Sequence, residues 1–199
     1  MLRIRESQEI SDLRKFSLPY RELPGLSANL LSNHYKLYEG YLQRLNALKE
    51  PFQKAILQDD KWTVAMIARE REFLTNAVIL HELYFEELTP GGRGDPGDVV
   101  HPDLAKRWER EFKILGKGAT GWVVLSWDPK TYTFMDFVMK DHGTGYVAGT
   151  IPLLVMDVYE HAYMPDYGLD KEAYINTFFK NINWNLVRER FRKAVGMKT

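Results

Sequence analysis

The chain has 199 residues, 45% hydrophobic and 27% charged, a length that fits one domain or two small ones around a sizeable core. Lysine plus arginine and aspartate plus glutamate both number 27, so the formal charge is zero and the balance supports neither a nucleic-acid nor a membrane-surface partner. Cysteine is absent, which removes disulfides, thiolate metal sites and thiol catalysis together, so any metal must take nitrogen and oxygen ligands.

The N-terminal MLRIRESQEISDLRKF scatters charge where a signal peptide needs an apolar run, and no segment approaches a membrane span in length, so a cytoplasmic protein is expected. After this polar, loosely held start, LPYRELPGLS supplies two prolines and a glycine and offers Ser27 as an N-cap. From Ala28 to Leu48, the residues Leu30, Leu31, Leu37, Tyr38, Tyr41, Leu42 and Leu45 recur at spacings of three and four. They predict one helical face, which includes His34, with Pro51 at or just beyond the end. A second helical region, Phe52 to about Leu88, carries Trp62, Met66, Phe73, Ala77, Leu80, His81, Tyr84, Phe85 and Leu88 on its apolar side, with a break allowed near Gln58 to Lys61. Two long helices with a short connection predict an antiparallel α-hairpin.

Residues 89 to 98, TPGGRGDPGD, are rich enough in glycine and proline to read as a loop. We therefore expect an N-terminal α-hairpin domain over 1–90, a linker over 91–98 and a C-terminal α/β domain over 99–199. Pro102 to Leu115 has helical spacing through Leu104, Trp108, Phe112 and Leu115 and stops at Gly116. The period then shortens. Trp122 to Trp127, Thr133 to Met139 and Pro152 to Asp157 predict a three-stranded, mainly antiparallel sheet, and the last third, through Tyr174, Phe178, Phe179, Trp184, Val187 and Phe191, returns to helix. The fold class is α+β.

Gly116 to Gly121 matches GxGxxG, and the following WVVLSW and FVMK imitate the glycine-rich loop and lysine strand of a protein kinase. No catalytic-loop aspartate and asparagine and no DFG occur in the 59 residues after Lys140, and the glycines follow a helix and precede a strand, the wrong order for phosphate at a helix N-terminus. Nucleotide binding is not supported.

The histidines are more informative. There are five, and His34, His81 and His161 each fall on an apolar or aromatic face of a different element. In PLLVMDVYEHAYMPDYG, Asp157 closes a strand and His161 opens a helix four residues later, so both can point to one place. Three imidazoles and a carboxylate suit Mn, Fe or Zn by ligand softness, and spacing does not choose among them. His101, beside Pro102, reads as surface.

DVYEHAYMPDYG, followed by YINTFFKNINW and RERF, resembles the C-terminal signature of the iron/manganese superoxide dismutases, DxWEHAYYxDY with NxxNW behind it. The likeness extends from about Leu18 to Phe191 through LPGLS, LYEGYLQRLN, NAVILHELYFEEL and GATGWVVLSW. The resemblance implies a superoxide dismutase that disproportionates superoxide to O2 and H2O2 by redox cycling of one Fe or Mn ion per subunit. It implies His34, His81, Asp157 and His161 as ligands, Tyr41 at the mouth of the substrate channel, and Trp122 in the wall around the metal. It further implies a homodimer or homotetramer in which Glu160 reaches across to the partner's ligand histidine. The alternatives are a non-catalytic protein that kept the fold, or another non-haem metalloenzyme.

The chain also departs from the family pattern. His34 and Tyr41 are seven residues apart where eight is usual, and the additional histidine commonly found between them is absent, with Leu37 and Tyr38 in its place. Ala77 stands where a helix-borne glutamine would hold the metal-bound solvent; His142 falls where the sheet-borne glutamine would be. Tyr159 replaces a tryptophan, and Lys171 occupies the place of an arginine near the channel.

Overall fold

Ser27 starts the first helix by the device that its position predicts. Its Oγ accepts the Leu30 amide at 3.1 Å, and the same residue is clasped by the Asp166 carboxylate through its amide and hydroxyl at 2.7 Å each. The computed structural model describes residues 15–196. The reading of the extreme N-terminus as loosely held, and the side chain of Leu104, lie outside the described residues. Helix α1 (Ala28–Ala47) is followed by α2 (Lys49–Leu57) and α3 (Lys61–Glu86), with Asp59 in the left-handed region and Asp60 capping Thr63 where the break was expected. Pro51 does not end a helix. It sits in the first turn of α2, where its missing amide hydrogen has no intrahelical acceptor to lose.

Helices α1 and α3 pack together and bury Leu30, Leu31, Tyr38, Leu42 and Leu45 against Leu74, Val78, Tyr84 and Phe85. Trp62 and Met66, expected on the apolar side, are 75% and 67% exposed. The first turns of α3 meet α2, whose only buried residue is Ala55, so that end of the hairpin holds little core. Leu37 is also exposed, at the edge of the α1 face.

The 89–98 stretch contains a 3₁₀ turn at Pro96–Asp98 and is strapped to the end of the chain. Thr89 N donates to Asn181 O at 2.8 Å, Arg93 N to Ile182 O at 2.9 Å and Trp184 N to Arg93 O at 2.7 Å. Helix α4 (Pro102–Gly118) runs past the expected stop, and a side chain at Gly116 would collide with Met156 and Ile175. The strands β1 (Trp122–Asp128), β2 (Thr133–Met139) and β3 (Ile151–Asp157) form an antiparallel sheet in the order β2-β1-β3. Helices α5 (Glu160–Tyr167), α6 (Lys171–Lys180) and α7 (Trp184–Ala194) complete the chain.

Register positions the chemistry. Trp122, first in the central strand, pairs with Met139 on one side and Asp157 on the other, so the exits of β2 and β3 flank it. Gly121 permits this closeness: a Cβ there would lie within 2.6 Å of the Lys140 carbonyl oxygen. The inner side of the sheet end then faces α1 and α3, since β3 packs on α3 and α1 packs on α5.

Candidate metal centre

Four side chains from four elements converge beneath this sheet end: His34 of α1, His81 of α3, Asp157 of β3 and His161 of α5. One donor atom from each lies within 4.8 Å of all the others. The three Nε2 atoms gather on one carboxylate oxygen, Asp157 Oδ2, at 3.0 Å from His34, 3.1 Å from His161 and 3.8 Å from His81. His34, His81 and Asp157 are wholly buried, and His161 keeps a quarter of its side chain exposed.

His81 and Asp157 are held from behind, whereas the buried His34 Nδ1 has no hydrogen-bond partner. His81 Nδ1 donates to the Ala77 carbonyl at 2.6 Å, which leaves Nε2 as the bare nitrogen. That Nε2 is buried and has no hydrogen-bond partner, a costly condition that an ion removes. Asp157 Oδ1 accepts the Tyr159 amide at 2.9 Å, and its main-chain carbonyl accepts from Tyr174 Oη at 2.6 Å, with Tyr84 Oη a further 3.2 Å behind. Three imidazole nitrogens and one carboxylate oxygen this close together would hold one first-row cation.

The electrostatics prepare the same occupant. Burial pushes the Asp157 carboxyl up, but the charges and hydrogen bonds of His161 and His34 outweigh it and hold the group well below the carboxylate range. Burial lowers His34 against the pull of Asp157, and burial together with His34 holds His81 well below the usual imidazole value. His161 goes the other way: burial lowers it, yet Asp157 raises it overall. The set is one ionised carboxylate with three imidazole Nε2 atoms turned toward it, His34 and His81 biased toward the neutral form.

The surrounding residues form an aromatic and hydrogen-bonded wall. Trp122 Nε1 donates to His142 Nδ1 at 2.9 Å, and His142 Nε2 lies 3.3 Å from Tyr41 Oη. The first bond sets the tautomer: Nδ1 accepts, so Nε2 carries the hydrogen and aims it at the tyrosine oxygen. Burial lowers His142 to about 4, so the ring is neutral at physiological pH. Tyr41 is raised by burial and by the charge of Asp157, which keeps its proton. The seven-residue spacing places Tyr41 beside the site on an unbroken helix, because seven residues make nearly two turns. Tyr159 stacks on His161 at 5.2 Å between centroids and lies 5.3 Å from His142.

Two expected positions stand apart. Lys171 Nζ donates to Ala119 O at 2.7 Å and lies 5.8 Å from the centre of the Tyr163 ring, so its contacts go to these residues and not to the cluster. Glu160 is exposed in the first turn of α5. The supports from Tyr174, Tyr84 and the Ala77 carbonyl were not legible as site residues. The tyrosines look like ordinary helix-face aromatics, and a backbone carbonyl leaves no mark in a sequence.

A helical hairpin set against a three-stranded sheet, contributing two histidines from the first part and an aspartate and a histidine from the second, defines a mononuclear metalloprotein. A family profile described as "Iron/manganese superoxide dismutases, C-terminal domain" matches residues 103–190. The chain is 36% identical over 183 residues to "Superoxide dismutase [Fe]" of Cupriavidus metallidurans, covering 87% of this chain and 92% of the relative. It is 33% identical over 194 residues to "Superoxide dismutase [Fe]" of Aquifex pyrophilus, with 91% of each chain covered. Identity is 27% to "Superoxide dismutase [Mn] 1" of Halobacterium salinarum, over 86% of this chain and 89% of that one. The chain belongs to the iron/manganese superoxide dismutase family.

Proposed function

We infer that this chain is a superoxide dismutase, converting two superoxide anions and two protons to O2 and H2O2, with one Fe or Mn ion held by His34, His81, Asp157 and His161. The observation that carries the reading is the convergence of three imidazole Nε2 atoms on Asp157 Oδ2, one of them, from His81, buried without a partner. The ion supplies the one-electron couple. The protein supplies the frame and the protons. Asp157 contributes the negative charge of the ligand set, and the Ala77 carbonyl keeps His81 in the tautomer with a free Nε2. His142, neutral and oriented by Trp122, donates to Tyr41 Oη, so the tyrosine hydroxyl hydrogen remains available to an anion arriving beside it. Tyr41 is half-buried, which suits a group that passes protons between solvent and a closed site. Tyr159 and Trp122 exclude bulk water from the histidines they pack on.

The same reading makes residues 1–90 and 99–199 two units joined by 91–98, with the site closed only when both are in place. It includes a homodimer or homotetramer in the cytoplasm with an antioxidant role. Exposed Glu160, next to partly exposed His161, and exposed Met164 on the same short helix support an interface at α5. Lys171 near the channel is part of this reading through a local positive field. Among the described residues no helix is long and apolar enough to cross a membrane.

Metal content by mass spectrometry, paired with inhibition of superoxide-driven dye reduction, tests the function. One Fe or Mn ion per chain with activity is expected. Absence of both metals, or full metal without activity, overturns it, and the second result is that of a non-catalytic relative. Sedimentation at micromolar protein tests the oligomer, which a monomer would refute.

A further inference from the structure

Ala77 leaves the metal-facing turn of α3 without a functional side chain, yet that turn still acts on the site's surroundings. We propose that Asn76 is a positioning residue for His142. Asn76 Nδ2 donates to the His142 main-chain carbonyl at 2.8 Å, a bond spanning 66 residues of sequence. This rests on the proposed function only in giving His142 a role beside the metal.

His142 lies in the loop between β2 and β3, and the loop's other backbone bonds are internal. Lys140 N donates to Thr144 O at 3.0 Å, and Gly143 N to Asp141 Oδ1 at 2.8 Å. These bonds give the loop its shape but do not place it relative to α3. Asn76 does, assisted by Phe73, whose ring lies 4.9 Å from that of His142 and whose side chain packs at Gly143. Gly143 and Gly145, the latter with φ of 108°, follow the anchor, so a loop released from α3 has a hinge available on its C-terminal side.

The anchored backbone determines where the ring can reach. With the His142 carbonyl tied to Asn76, Nδ1 meets the Trp122 indole and Nε2 meets Tyr41 Oη. Adjacent residues of one turn therefore aim two imidazoles by opposite means: the Ala77 carbonyl accepts from His81, and the Asn76 amide donates to the His142 carbonyl. The asparagine amide is required because only a donor satisfies a carbonyl; an aspartate of the same shape offers two acceptors.

Asn76→Asp and Asn76→Ala test this, with Asn76→Gln restoring the donor on a longer arm. The reporter is the Trp122 indole N–H, followed by 15N NMR in metal-free protein. Loss of one orienting hydrogen bond should raise its solvent exchange about fivefold in the Asp and Ala variants and less in the Gln variant. In metal-loaded protein the reduction potential should shift while metal content stays full. Indole exchange and potential that match the native protein in a folded Asp or Ala variant overturn the proposal. An inactive or metal-free native protein would instead refute the proposed function, and the metal-free indole measurement would still decide the role of Asn76.

Discussion

Replacing Arg190 by leucine should expose how the scaffold behind the site is held. Glu87, buried just past the end of α3, accepts from Arg190 Nη1 at 2.7 Å and from the Val155 amide at 3.0 Å. Arg190 also donates to the carbonyls of Leu153 and Leu83, each at 3.0 Å. The knot joins α7 to the end of the helix that carries His81 and to the strand that delivers Asp157. Without the guanidinium, the buried Glu87 carboxyl and two carbonyls lose a donor, at a cost of about 3–5 kcal/mol. In a chain of this length that corresponds to a Tm drop of roughly 6–20 °C. The pH dependence separates this cause from simple loss of packing. Burial pushes Glu87 up to about 8, against the pull of Arg190 and the Val155 amide. A carboxyl raised on folding contributes stability that is fully present below its unfolded value, 4.5, and lost as pH rises through the folded value, about 8. Arg190 holds the folded value down, so the deficit of the leucine variant should be constant up to about pH 7 and widen above about pH 8. Urea unfolding of metal-free protein, at one protein concentration, measures it. A deficit below about 1 kcal/mol, or one independent of pH, would refute the reasoning.

Other outcomes follow from the same geometry. Asp157→Asn keeps the shape but removes the charge on which three imidazoles converge, so Fe and Mn should be lost on dialysis and the rise in Tm on metal addition should disappear, read by mass spectrometry and thermal melts. Gly121→Ala drives a methyl group against the carbonyls of Met139 and Lys140 and should destabilise by about 1–3 kcal/mol in denaturant unfolding. Ser27→Ala removes the cap of α1 and a bond to Asp166, and should cost about 1–2 kcal/mol in the same assay.

Local rules made much of this protein legible. Side-chain periodicity identified both hairpin helices and placed His34 and His81 on their inward faces, and Ser27 marked a helix start because a cap acts within three residues. Alternation and turn composition identified three strands, and the Asp157–His161 spacing identified a pair that can meet because a strand end and a helix start are local neighbours. Family likeness then supplied the candidate set. Elsewhere the local signal misled. Trp62 and Met66 follow the helical period but face solvent, because burial requires a partner surface and α2 offers little. Only tertiary structure decided that Asn76 reaches His142 and that Glu87 lies under Arg190, pairs separated by 66 and 103 residues. The same holds for the converging imidazoles: sequence determined which rings face inward, but only the packing of α1 and α3 on the end of β3 brought their nitrogens to one oxygen. Such distances depend on the assembled core, because burial is non-directional and leaves the final ångström to register and packing.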